Sequence, residues 1–243
     1  MSRSQILFFI LGGFFITNAI VAELIGGKIF AIGMPQFLID GLLALGIDTD
    51  KFQVSVGLLP WPIVFIATDL VNEFFGRRGV QFYTFTTIGL ILYTLLILEV
   101  ALRVTAVDFS PVTQDEFVSV FGQSQRIILA SVVAFAVSQL LDVLVFSRVR
   151  GKTGGRHLWA RATGSTIISQ LIDTFIIGFL AFKLPGIFTW EQYLEVTIVS
   201  YLYKVIVAIL ITPLCYLGHA GMRKFLGKEE AMRLVQQAHG QRN

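Results

Sequence analysis

PIVFIATDLVNEFFG, residues 62–76, decides how this chain is read: the run is apolar enough to enter a bilayer, yet it carries Asp69, Asn72 and Glu73. A carboxylate near a bilayer centre costs on the order of 2.5 to 3.5 kcal/mol on insertion scales, so such groups face a bundle interior or a wet cavity. On a helix, Asp69 and Glu73 stand four residues apart and Asn72 three from Asp69, which places all three head groups on one side. That side is expected to line a polar site whose partners lie elsewhere in the chain.

The composition around this stretch is that of an integral membrane protein. The 243 residues are 55% hydrophobic and 14% charged, with a mean hydropathy of +0.75, far outside the soluble range. Apolar runs of about 20 residues recur, which is the length a helix needs to cross the hydrocarbon core. The alternation over about 10 residues that marks an outer-membrane barrel does not dominate. The expected fold class is therefore an all-α integral membrane protein, a six-transmembrane-helix bundle forming a single domain over 1–243. Its spans fall at 5–27, 57–76, 80–103, 125–147, 159–183 and 193–219, with a cytoplasmic tail over 220–243. The N-terminus has a lone Arg3 before an apolar run that outlasts a signal peptide, and it is read as an uncleaved first span.

The connecting segments have their own character. Lys28 to Val56 contains PQFLIDGLLAL, apolar but too short to cross, and is read as a partial or interfacial helix. Asp108 to Gln123 reads as a polar loop, with a helix start near Asp115 and Glu116. RVRGKTGGRHLWAR, residues 148–161, is a basic glycine-rich turn, and the tail from Arg223 onward reads as a charged helix outside the membrane.

Charge sets the orientation. With both termini cytoplasmic, that side holds Arg3, Arg77, Arg78, the basic turn after Phe146 and the basic residues of the tail, whereas Lys28, Lys51, Arg103, Arg126 and Lys183 fall opposite. The positive-inside rule favours this arrangement and an even number of spans. The net charge of +3 and pI near 9.1 thus describe topology and not nucleic-acid binding. The single cysteine, Cys215, excludes an internal disulfide and any multi-cysteine metal site.

Further polar residues interrupt the later spans. SQLLD (138–142) and SQLID (169–173) each put a hydroxyl, an amide and a carboxylate on one helix face. The two helices run in opposite directions, a pattern that hints at an inverted internal repeat. Lys204 is the one cation well inside a span, where it wants a carboxylate or water. Asn18 and Glu23 lie in the first span near the Gly26-Gly27 pair, and Glu23 and Glu99 lie near span ends. Each feature also has a structural explanation: Asp and Lys pairing fixes helix registry, and Gln139 and Gln170 serve as interhelical glue. The phenylalanines are mostly lipid-facing or packing residues, with a few near the carboxylates able to stack on a flat ligand.

Enzyme signatures are missing. His157, His219 and His239 are scattered toward loops and tails with no HExxH pair, and Gly151-Lys152-Thr153 lacks the glycine of a phosphate-binding loop because Phe146 stands in its place. No GxSxG elbow occurs, and nothing around Asp142 or Asp173 has the context of an intramembrane aspartyl enzyme. No cofactor and no metal are expected.

ATDLVNEFFGRR (67–78), QLLDVLVFSRVR (139–150), STIISQLIDTFIIGFLAF (165–182) and the YKV core at 203–205 resemble the bacterial queuosine precursor transporters, a family earlier labelled vitamin uptake transporters. The likeness runs from the second span to the sixth; the first span matches loosely and the Pro35 to Lys51 insert is longer than the family pattern. It implies import, across the inner membrane, of 7-deazaguanines such as preQ0 and preQ1 for tRNA modification. The residue types suit such a base: one carboxylate accepts from the ring N–H and the exocyclic amino group together, amides answer the carbonyl, and an aromatic face stacks on the ring.

The candidate substrate-binding or transport residues are Asn18, Asp69, Asn72, Glu73, Gln139, Asp142, Gln170, Asp173 and Lys204. The expected partners are the small planar base and membrane lipid, with no nucleic acid; a homodimer is allowed. The alternative reading is a substrate-binding membrane subunit of an ATPase-coupled vitamin importer. Proton symport and facilitated diffusion are equally served by these carboxylates, and preQ0, preQ1 and queuine are not separated.

Overall fold

The computed structural model describes residues 1–33, 52–153, 170–210 and 212–240, with Gln36, Asp40 and Ala44; for 77, 135, 136, 138–153, 208, 209, 212, 239 and 240 it describes the backbone alone. The chain is mostly helical, as an all-α membrane protein should be, and it divides into two compact units.

The first unit takes Met1–Gly26, Val56–Arg103 and Tyr203–Asn243. Helix α1 (Arg3–Ile25) starts on Ser2, whose hydroxyl accepts from the Gln5 amide at 3.2 Å while the Gln5 side chain accepts from the Ser2 amide at 2.9 Å. This reciprocal cap satisfies two amides that a helix start otherwise leaves without partners. Helix α2 (Trp61–Arg103) carries the opening stretch and is interrupted at Gly76, where φ is +68°. That left-handed φ suits glycine, and a Cβ there would also stand 3.2 Å from the Ala238 Cα. The break separates Val56–Gly76 from Arg78–Arg103, both long and apolar enough to cross a membrane.

Helices α5 (Thr212–Leu226) and α6 (Lys228–Gly240) join through Gly227. Leu7, Leu70, Phe74, Met222, Leu226 and Ala231 form one buried apolar cluster, so α1, the first piece of α2, α5 and α6 share a core. Arg3 Nη1 donates to the Phe225 carbonyl at 3.3 Å. The start of α1, the Gly76 break and the α5–α6 junction therefore meet at one end of this unit. From there α1 runs beside the second piece of α2: the Tyr83 hydroxyl donates to the Phe8 carbonyl, and the Phe8 ring lies 4.5 Å from Tyr83 and 4.9 Å from Phe75. That piece also exposes Phe82, beside Phe8, and Phe85, Tyr93, Leu96, Ile97 and Val100, an apolar surface suited to lipid.

The second unit takes Gly27–Ser55 and Val104–Leu202, and helix α4 (Trp190–Leu210) begins in it. Here the structure corrects the sequence reading twice. The 28–56 segment is bounded by strands β1 (Ile29–Ala31) and β2 (Gln53–Ser55), paired antiparallel with Phe30 opposite Val54. Strands of three residues are too short to show a two-residue period, and pairing across the intervening loop leaves no local signature. The apolar run PQFLIDGLLAL lies outside the described residues except at Gln36, Asp40 and Ala44, whose backbones are helical.

The second correction concerns 108–123. Helix α3 (Gln114–Thr153) begins inside the expected loop, capped by Thr113, whose hydroxyl accepts from the Glu116 amide at 3.3 Å while Glu116 Oε2 accepts from the Thr113 amide at 2.9 Å. The start near Asp115 and Glu116 was legible; the continuation through Phe117, Val118 and Val120 makes Gln114–Ala134 membrane-length, ahead of the expected 125–147.

Of the span expected at 159–183, residues 159–169 lie outside the described residues. Residues 170–178 are helical and run into a π-turn, Phe179–Lys183, where the Leu184 amide donates to the Phe179 carbonyl at 2.7 Å. Ile127, Ala130, Ala181 and Phe182 form this unit's buried cluster, with Phe182 stacked on Phe188 at 4.8 Å and 12°. The span expected at 193–219 falls on both α4 and α5, so helix continues past the Arg223 boundary assigned to the tail. Among the described residues four helical stretches are membrane-length: Arg3–Ile25, Val56–Gly76, Arg78–Arg103 and Gln114–Ala134.

Candidate transport site

The first piece of α2 presents Asp69 and Glu73 to α5. Cys215 Sγ donates to Asp69 Oδ2 at 3.7 Å, and one turn further along His219 Nε2 stands 3.9 Å from Glu73 Oε1. Both pairs advance in the same direction by four residues, so this piece of α2 and α5 run parallel, with two polar rungs between them. Between the rungs Leu70 lies against Gly218, where a Cβ would come within 3.0 Å of Leu70 Cδ1; glycine lets the helices approach. Phe74, almost fully buried, packs its ring against His219 at 5.1 Å and 34°.

The chemistry of these rungs follows from the groups. A carboxylate accepts hydrogen bonds, a thiol is a weak donor, and an imidazole carries a donor and an acceptor that exchange on protonation. The Glu73 and His219 contact becomes an ion pair when the imidazole is protonated. Asn72 lies on the same helix piece and is exposed, so only two of the three head groups expected on one side find partners on α5.

The other candidates of this unit are held differently. Asn18 turns inward on its own helix, its Nδ2 donating to the Phe14 carbonyl at 2.8 Å. Lys204 is buried, with Nζ 5.4 Å from the centroid of the Trp61 ring at the start of α2. An aromatic face is thus one of the neighbours of this cation.

Gln170 and Asp173 belong to the second unit and are half-buried; the Gln170 carbonyl accepts from the Thr174 hydroxyl at 2.7 Å. Gln139 and Asp142 lie on α3, but their side chains fall outside the described residues. Near Gln170 and Asp173, the Tyr193 hydroxyl donates to the Phe175 carbonyl at 3.1 Å.

Sequence reasoning passed over Cys215 and His219, setting one aside as a lone thiol and the other as a histidine near the tail. Their four-residue spacing matches that of Asp69 and Glu73, and LCYLGHAG (214–221) was the available signal.

Membrane-length helices, one of them carrying partnered carboxylates, define a multi-pass membrane protein. A family model described as "Putative vitamin uptake transporter" matches residues 55–218, and the chain belongs to that family. A "Probable queuosine precursor transporter" of Bacillus subtilis (strain 168) is 35% identical over 121 residues, covering 47% of this chain and 50% of that protein. A protein of the same description from Haemophilus influenzae is 32% identical over 130 residues, covering 52% and 53%. The chain thus spans about half the length of the curated relatives it matches. No solved structure matches it.

Proposed function

We propose that this chain imports queuosine precursors, 7-deazaguanine bases such as preQ0 and preQ1, across a bacterial inner membrane for tRNA modification. Asp69 and Glu73 carry the proposal: two carboxylates kept on an apolar, membrane-length helix and partnered by Cys215 and His219. Intramembrane ionisable groups mark substrate and proton pathways. The names of the relatives support the cargo class. Asn18, Asp69, Asn72, Glu73, Gln139, Asp142, Gln170 and Asp173 bind the base edge or relay a proton, with Lys204 balancing charge.

The proposed topology has six spans with both termini cytoplasmic. The parallel run of α5 and the first piece of α2 supports it, because the second and the sixth of six spans cross in the same direction, with three spans between them. The meeting of Arg3, the Gly76 break and the α5–α6 junction at one end also supports it, since the basic residues there follow the positive-inside pattern.

The test is queuosine in tRNA of a bacterium that lacks both precursor synthesis and its own importer, supplied with preQ0 or preQ1, with and without this chain. Restoration is the expected result, and it should vanish with Asp142→Asn or Asp173→Asn although each variant reaches the membrane. Full uptake by both variants would sink the site assignment. No restoration by the wild-type chain, with the protein shown in the membrane, would sink the cargo.

A further inference from the structure

An open groove of about 510 Å³ runs along the first unit where α1, both pieces of α2 and α6 come together. Its lining is mixed: Ser4, Gln5 and the exposed Arg78 are polar, and Phe8, Phe9, Phe75, Phe82 and Leu234 are apolar. We propose that this groove binds one anionic phospholipid, with the phosphate on Arg78 and an acyl chain along the phenylalanines.

The position of the charges fits a headgroup. Arg3 opens the membrane-length stretch Arg3–Ile25 and Arg78 opens Arg78–Arg103, so both guanidiniums stand at the boundary where an apolar span begins. Arg3 is anchored at the same end of the unit by its bond to the Phe225 carbonyl, and Arg223 and Lys224 lie in the last turn of α5 beside that anchor. Among the described residues Arg78 has no carboxylate partner, which leaves its planar fork of N–H donors for a phosphate. A basic pocket between spanning helices is the site that lipid headgroups select at an anionic leaflet.

The apolar wall also argues for a lipid over a soluble anion. Phe82 is 58% exposed and belongs to the surface that meets hydrocarbon, so an occupant needs an apolar part continuous with the membrane. A second copy of the chain fits less well, because a two-fold contact through this groove would bring Arg78 toward its own symmetry mate. The site does not depend on what the protein transports.

The experiment uses the purified full chain in a neutral detergent, titrated with phosphatidylglycerol or with phosphatidylcholine of the same acyl chains, bound lipid being counted by native mass spectrometry. Phosphatidylglycerol should bind more tightly, and Arg78→Gln should weaken it about fivefold, the weight of one basic residue at an anionic surface. Arg78→Lys should keep most of the affinity, while Arg126→Gln, an exposed cation of the other unit, should leave it unchanged. Equal binding of the two lipids, or an Arg78→Gln variant that matches wild type, would overturn the proposal. Displacement of phosphatidylglycerol by inorganic phosphate at equal concentration would overturn it too, by assigning the site to a free anion.

Discussion

The two pieces of α2, on either side of Gly76, are built from similar proportions of apolar residues and do opposite work. In the first, Leu70 and Phe74 are buried among α1, α5 and α6, and Asp69 and Glu73 meet Cys215 and His219. In the second, Thr84 and Thr94 return their hydroxyls to their own helix, to the Val80 and Leu90 carbonyls at 2.9 Å, and large apolar side chains face outward. Polar atoms in a membrane helix are thus handled in two ways. The Thr84 and Thr94 hydroxyls are satisfied by the carbonyl four residues back and Glu99, near the span end, by Arg103 of its own helix, whereas Asp69 and Glu73 in the packed piece meet a second helix. Hydropathy alone rates both pieces as spans; where the polar residues find their partners distinguishes a packed helix from a lipid-facing one.

The comparison breaks most severely at the residue between the pieces. Gly76→Val should destabilise the protein by about 3 kcal/mol, since it combines a left-handed φ with a Cβ pressed on the Ala238 backbone. Unfolding of the purified variant in detergent measures the loss, and α6 should become protease-sensitive first. A variant as stable as wild type would mean that the break is not fixed by this residue.

Next in size is the functional contrast. Asp69→Asn keeps the shape and removes the charge, and it should lower precursor uptake at least about tenfold, which is about 1.4 kcal/mol. Thr84→Val on the second piece removes a polar atom as well, yet uptake should stay within about twofold because that hydroxyl serves only its own helix. Equal losses in the two would erase the distinction between the pieces.

This contrast also explains what was legible beforehand. The α2 spans could be read because Asp69, Asn72 and Glu73 stand out in an apolar run and because Gly76 precedes Arg77-Arg78, a boundary written in composition. The start of α3 was legible from Asp115 and Glu116, local signals of a helix N-terminus. The identity of the carboxylates' partners was not, since Cys215 lies 146 residues from Asp69 and no short-range pattern links them. The same holds for Trp61 beneath Lys204 and for the β1 and β2 pairing. Family membership came from the order of TDLVNE and QLLD, which is information of a different kind from periodicity.

A smaller effect separates the rungs themselves. Cys215→Val removes the donor to Asp69 while preserving bulk, and it should cost about 1 kcal/mol, the usual worth of one hydrogen bond. Cys215→Ser restores a stronger donor and should recover most of that stability. Thermal unfolding of the two variants side by side checks it; a serine variant no better than valine would show that Asp69 draws nothing from α5.

The smallest effect is expected on the face that meets lipid. Leu96 is 65% exposed and lies on the second piece of α2, where no partner helix covers it in this unit. Truncation there removes contacts with hydrocarbon chains that rearrange to fill the space, so no fixed cavity is left of the kind that makes core truncations expensive. Leu96→Ala should therefore change unfolding free energy by less than about 0.5 kcal/mol. By contrast Leu70→Ala, a similar deletion at a 7% exposed site against Gly218, should cost about 2 to 5 kcal/mol because the surrounding helices cannot collapse as lipid does. If Leu96→Ala proved as costly as Leu70→Ala, the outward face of the second piece would have to be a packed interface, and the lipid-facing assignment of that half of α2 would fall.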